Sequence, residues 1–283
     1  MSKAPDRSRS LPVKGLFNAR DLGGLPAADG SVIAPARLFR SEVLVSPEEP
    51  GIHSKWVLDD SPSLVALGVR TVIDLRGVDE AHETPSAWAQ ATGARAALCF
   101  PIHDGGHGAP RDFVNMLITG ELERFAPEDL GRHYIAILSG RARTFGAAIS
   151  AIAAGAPALI HCTEGKDRTG ILVALILDAL GTPHADIVDD YVLTSALRPD
   201  RALAYAPHFA SANVPLESFR VLYEAPAVAM TMALDYLAAH DGGVCGYLIN
   251  DAEVSVDTIQ RLREELLIPA PGAHRAAGAE EDL

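Results

Sequence analysis

The stretch His161-Cys162-Thr163-Glu164-Gly165-Lys166-Asp167-Arg168-Thr169-Gly170 constrains the fold of this chain most, because its two flanks have different characters. Pro157-Ala158-Leu159-Ile160, before it, is short, apolar and bounded by Gly155, and reads as a buried strand. Ile171 to Leu180, after it, is long enough for a buried helix that Gly181 closes. The decapeptide is thus a strand-to-helix turn. The first N–H groups of a helix lack internal partners and, with the helix dipole, favour an anion. Cys162 stands at the strand's end, where the dipole, Lys166 and Arg168 are expected to lower its pKa and make it a thiolate nucleophile. Arg168 follows by six residues, which lets the loop curl round one phosphate so that the guanidinium returns to grip two of its oxygens.

A cysteine that only fills space does not need Gly165, Lys166, Asp167 and Arg168 in the turn after it. Cys99, inside the apolar run Ala96 to Phe100, and Cys245 read as such core residues. A nucleotide-binding phosphate loop requires Gly-x4-Gly-Lys-Ser/Thr. Here Ile160 occupies the first glycine position and Asp167 follows Lys166, so that motif fails twice.

Cys-x5-Arg followed by Thr is the signature of the cysteine-dependent protein tyrosine phosphatases. The longer His-Cys-x-x-Gly-Lys-Asp-Arg-Thr-Gly resembles their bacterial branch with tyrosine, serine/threonine and phosphoinositide phosphatase activity. Asn18-Ala19-Arg20-Asp21-Leu22-Gly23-Gly24, Arg37 to Ser41, Asp74-Leu75-Arg76 and Gly242-Gly243 to Tyr247-Leu248 look like that branch's landmarks, in order, over residues 16 to 268. The resemblance implies that Arg20, Asp21, Arg40 and Arg76 pack beneath the phosphate loop, that Thr169 hydrogen-bonds the Cys162 sulfur, and that residues 183–240 include a helical lid.

The remaining pattern alternates strands and helices. Strands are expected near Val32-Ile33, Arg37 to Phe39, Val69 to Leu75 and Ala94 to Phe100, with a turn at Asp29-Gly30. Helices are expected over Ser61 to Leu67, Arg111 to Thr119, Pro127 to Ala154, Ala185 to Leu197, Pro226 to His240 and Ser255 to Leu267. This predicts an α/β fold, a central mostly parallel sheet flanked by helices with a C-terminal helical annex, whose site lies at the carboxyl ends of the strands. Residues 1–15 read as a flexible arm, 16–268 as the phosphatase domain and 269–283 as a disordered tail.

The expected chemistry is phosphate-monoester hydrolysis through a phosphocysteine on Cys162, with Thr163, Glu164, Gly165, Lys166, Asp167 and Arg168 holding the phosphate and His161 ordering the strand's end. The general acid is either Asp104, on the glycine-rich segment after the second parallel strand, or Asp167; Asp74 ranks third. His103 and His107 have no accompanying ligand cluster, so neither metal nor other cofactor is expected. The expected partner is a phosphoprotein or phosphoinositide. Lys166 suits a second phosphate, while Glu164 would repel one if it faced the ligand, which favours phosphotyrosine. A net charge of -13 argues against nucleic acid. With no apolar leader, no membrane-spanning run and only three cysteines, the expected location is the cytoplasm. Competing readings are a lipid phosphatase, a catalytically silent phosphate-binding module and a sulfur-transferring enzyme.

Overall fold

Ala158–His161 is the middle strand of a five-stranded sheet in the order Arg20–Asp21, Leu38–Ser41, Ala158–His161, Thr71–Asp74, Ala96–Cys99. The first pair is antiparallel and the other neighbours are parallel, so the sheet is mostly parallel, as the alternating pattern requires. Ser41 and Asp74 both pair with His161, and Cys99 pairs with Asp74. Four strands therefore end level, and the chain leaves each on the edge where α/β folds build their sites. The computed structural model describes residues 8–13, 15–49, 51–103 and 112–269.

Both faces of the sheet are covered, which is why its strands are apolar at successive positions rather than at alternate ones. Leu38, Ile73 and Ile160 point into the larger core with the helices Pro127–Gly155 and Asp167–Ala179. Phe39, Val72 and Leu159 point the other way, against Leu64 and Trp88. Pro127–Gly155 begins with Pro127 in its first turn and Asp129 accepting from the Ala126 N–H at 2.8 Å. Leu130, Tyr134, Ile137, Leu138, Phe145, Ile149 and Ile152, at helical spacing, form its buried stripe. Gly146 is needed where the chain crosses it, because a β-carbon there would lie 1.9 Å from the Ala252 carbonyl oxygen.

The C-terminal annex consists of His184–Ala196, Arg201–Ala210, Leu216–Phe219, Ala227–Ala238 and Gly243–Asn250. Ala227–Ala238 packs along the long helix, and Phe209 stacks on Phe219 with ring centroids 3.9 Å apart. Val256–Leu266 then leads into Leu267–Pro269, which pairs antiparallel with Ser31–Ile33.

Several expectations are corrected. Cys99 is exposed rather than a core residue, because Ala96–Cys99 is an edge strand that, among the described residues, pairs only with Thr71–Asp74. Cys245 is half-buried against the core. Part of the expected flexible arm is ordered: the Leu11 N–H donates to the Ala19 carbonyl, the Asp21 N–H donates to the Arg9 carbonyl, and Val13 is buried. The short helices Val78–Glu83 and Trp88–Thr92 were not anticipated. Residues 270–283 lie outside the described residues. Among those described, no helix is long and apolar enough to cross a membrane.

Candidate active site

After Ile160 and His161 the chain leaves the sheet and turns into Asp167–Ala179. The carbonyls of this turn are held from outside. The Val43 N–H donates to the Thr163 oxygen at 3.1 Å. Asn18 Nδ2 donates to the Glu164 and Gly165 oxygens at 3.2 and 2.8 Å, and Arg40 Nη2 donates to the Gly165 oxygen at 2.8 Å. In a trans peptide the N–H points opposite to the C=O. Fixing these oxygens outward therefore aims the N–H groups of Glu164, Gly165 and Lys166 into the turn, as a concave set of donors for an anion. Gly165 has φ of +62°, and a β-carbon on it would lie 2.3 Å from the Ser41 carbonyl oxygen, so the loop sits directly on the neighbouring strand's end.

Behind this wall is a buried ionic cluster. Asp190 Oδ2 accepts from Arg40 Nη1 at 2.8 Å, and Asp190 also takes Arg20 at 3.0 Å and Arg9 at 2.9 Å. Burial alone would push the Asp190 carboxyl up, but Arg20 and Arg40 hold it far below the usual carboxylate range. Arg20 also donates to the Asn18 side chain that braces the loop. Arg20 and Arg40 thus support the loop as expected. Asp21 does not touch it, bonding instead to the N–H groups of Gly23 and Ala36. Arg76 braces Asp74, at 2.6 Å, and the Thr84 carbonyl.

Cys162 is 2% exposed and Arg168 4% exposed. Arg168 Nη2 lies 3.4 Å from Thr163 Oγ1, so the guanidinium has returned across the turn to the residue beside the thiol. Glu80, in Val78–Glu83, fixes it there. Its oxygens accept from Arg168 Nη1 at 2.6 Å, Arg168 Nη2 at 2.9 Å and Thr163 Oγ1 at 2.7 Å. Burial opposes ionisation of Glu80, yet the bonds from Arg168 lower its pKa to about 2. Arg168 Nη1 also donates to the Ile102 carbonyl at 3.2 Å. Glu80 was missed in the sequence, because the short helix that carries it was not anticipated and nothing else singled it out.

The other candidates fall into distinct places. Burial lowers the pKa of His161 despite nearby Asp74, leaving a neutral imidazole. Its Nδ1, 3.1 Å from the Cys162 carbonyl, must donate, so Nε2 accepts from Ser86 Oγ at 3.1 Å. Thr169 Oγ1 is buried without a hydrogen-bond partner among the described residues, Cys162 included, so the expected bond to sulfur is not formed. Glu164 does not confront a ligand with a bare charge: its Oε2 pairs with Arg198 and, at 3.2 Å, with Arg201. Lys166 is 1% exposed and paired with Asp167 at 2.8 Å rather than presented for a second phosphate. Burial pushes the Asp167 carboxyl up, but Lys166 and the Tyr134 hydroxyl outweigh this and hold it below the usual range. Asp104 and His107 lie outside the described residues; His103 packs against Gly77. Among the described residues no group of three or more His, Cys, Asp or Glu converges as a metal site.

Residues 11–268 match the tyrosine phosphatase family model. The chain belongs to this family. It is 30% identical to the triple specificity protein phosphatase PtpB of Mycobacterium tuberculosis over 92% of this chain and 99% of that one. It is also 31% identical to a tyrosine-protein phosphatase of Nostoc commune over 73% of this chain and 69% of that one. Membership makes the protein a phosphatase, acting on phosphorylated substrates.

Two predictions follow from the geometry of the loop. Glu80→Gln keeps the shape but loses the charge that holds Arg168, and should lower kcat/KM on an aryl phosphate about tenfold; an unchanged value would remove Glu80 from the machinery. The second concerns Glu42, next to the Ser41 strand end, which is fully buried and accepts from Arg201 Nη2 at 2.7 Å. Burial raises its carboxyl from 4.5 to about 7 against the pull of Arg201. A pKa raised on folding gives stability that is complete below 4.5 and lost as pH rises through about 7. Glu42→Gln should therefore flatten the fall in unfolding free energy over that window, as read from urea melts.

Proposed function

We propose that the protein hydrolyses phosphotyrosine in proteins through a phosphocysteine on Cys162, without a metal. The observation that carries this reading is the outward anchoring of the Thr163, Glu164 and Gly165 carbonyls, together with the return of Arg168 to the start of the loop. Amides and guanidinium then face one dianion beside one sulfur. That arrangement favours the trigonal charge of a transferring phosphoryl group over anything else the fold presents. The family match and the names of the relatives support the substrate class.

In the first step the sulfur attacks phosphorus, an S–P bond forms, and the P–O bond to the leaving group breaks as a carboxylic acid gives its proton to the departing oxygen. In the second step water attacks phosphorus, its proton returns to the same carboxylate, the S–P bond breaks, and phosphate leaves. We assign the acid to Asp104. The Ile102 carbonyl, two residues before it, accepts from Arg168, so the last described stretch of chain before Asp104 meets the clamp. Asp167, the alternative, is held ionised by Lys166 and Tyr134, which suits a counter-charge better than a proton donor.

Phosphoinositides are the less favoured substrate. The repulsion expected from Glu164 is cancelled by Arg198 and Arg201, but the attraction expected from Lys166 is spent on Asp167. Turnover of a phosphotyrosine peptide should exceed that of a phosphoinositide panel, and the reverse order would move the assignment to lipids.

Cys162→Ser should abolish turnover of nitrophenyl phosphate while retaining binding of a phosphate analogue; an active serine variant would refute the covalent scheme. Asp104→Asn should lower kcat far more on alkyl than on activated aryl phosphates, since only the poorer leaving group needs the proton. Equal losses on both would return the acid to Asp167.

A further inference from the structure

A buried chain of hydroxyls ends on the phosphate loop. Tyr134, from Pro127–Gly155, and Tyr191, from His184–Ala196, are 0% and 1% exposed. Their hydroxyl oxygens lie 2.7 Å apart, and their rings meet edge to face. Tyr134 Oη lies 2.6 Å from Asp167 Oδ1, the same oxygen that pairs with Lys166 Nζ at 2.8 Å.

The direction of these bonds follows from the charges. Burial first, and then the negative charge of Asp167, raises both phenols far above neutral pH, so both keep their protons. An ionised carboxylate only accepts, so the single Tyr134 proton goes to Asp167. The contact between the phenols then requires Tyr191 to donate to Tyr134. Donation runs from Tyr191 through Tyr134 to Asp167, and each bond polarises the next. Among the described residues, the charged or titratable groups that act on Asp167 include Lys166 on its own turn, and Tyr134 and His133 from the long helix. Tyr191 stands behind Tyr134, with Arg40 and Arg198 near its hydroxyl. His133 has its ring against Phe113, with centroids 5.2 Å apart.

We propose that Tyr134, oriented by Tyr191, is a positioning residue for the phosphatase reaction, because its donation to Asp167 secures the Asp167–Lys166 pair that closes the loop into its helix. The proposal rests on the phosphatase reading of Cys162 and Arg168. When Asp167 takes up a proton, the buried Lys166 ammonium loses its counter-charge and this end of the loop loses its anchor. A carboxyl held low on folding contributes its stabilisation above its ordinary pKa, and that contribution disappears as pH falls through the lowered value. Removing the Tyr134 hydroxyl takes away one of the groups that hold Asp167 down and leaves the upward push of burial. The loss then begins at higher pH.

The test is kcat/KM for an aryl phosphate between about pH 3 and about pH 8.5, each profile normalised to its own maximum. The proteins compared are wild type, Tyr134→Phe, Tyr191→Phe, Asp167→Asn and the double variant Tyr134→Phe with Asp167→Asn. The acid limb of Tyr134→Phe should move toward neutral pH by about one unit, with the basic limb unmoved and activity near the optimum changed less than about threefold. Tyr191→Phe should move the same limb in the same direction by less. With Asp167→Asn already present, Tyr134→Phe should produce no further shift. An unmoved acid limb in Tyr134→Phe, or an equal shift in the Asp167→Asn background, overturns the proposal. If Tyr134→Phe does not fold by circular dichroism, Tyr191→Phe decides: a moved limb supports the proposal and an unmoved one overturns it. Absence of turnover in the wild-type protein at every pH is a different failure, which overturns the phosphatase reading itself and this proposal with it.

Discussion

Three guanidinium groups, from Arg9, Arg20 and Arg40, converge on the single carboxylate of Asp190, and one of them continues to the Gly165 carbonyl. Taking so many charges out of water is costly, and removing the shared anion would leave like charges facing one another in the interior. The cluster is tolerated because every partner is also tied to backbone or to a neighbouring side chain, Arg20 through Asn18 and Arg40 through the loop. It gives the loop a rigid outer wall, on which the inward aim of its amides depends. One carboxylate against three cations also leaves positive charge behind a pocket in a chain whose net charge is -13. A dianionic phosphate therefore meets local attraction in an otherwise repelling field.

The proposed reaction centre divides into an electrostatic front and a mechanical back. Glu80 illustrates the division, because a carboxylate on the clamp looks at first like a competitor for phosphate. It also accepts from Thr163 Oγ1 and from the Gly77 N–H, which puts it among side chains and a helix end outside the concave row of amides. There it sets the angle of the guanidinium plane without filling the cradle.

The turn itself was legible because its chemistry is contiguous: the proposed nucleophile, the glycine and the proposed clamp lie within Cys162 to Arg168, and a strand before with a helix after fixes their arrangement. The parallel sheet and long helix were legible from apolar runs and helical spacing. The supports were not, because each partner is far away in sequence. Glu80 and Arg168 are separated by 88 residues, Arg20 and Asp190 by 170. Ala185 to Leu197 reads as a helix, and nothing in that pattern says that Asp190 and Tyr191 are both buried. Cys99 was misread because an apolar run is the same in a central strand and an edge strand; only the sheet order separates them. The ordered chain at Arg9 to Val13 was missed because a few backbone bonds and one ion pair leave no periodic trace.

The consecutive residues Asp190 and Tyr191 reach the loop by two routes, and Arg198 and Arg201 farther along the annex hold Glu164. The annex is thus not an appendage that could be trimmed to leave a minimal catalytic fragment. A truncation after Ala179 would keep the whole signature sequence yet strip away the anion that organises the arginines behind it, Arg9, Arg20 and Arg40. In this chain an intact motif is therefore not enough for a working pocket, which also needs the later helix that braces it.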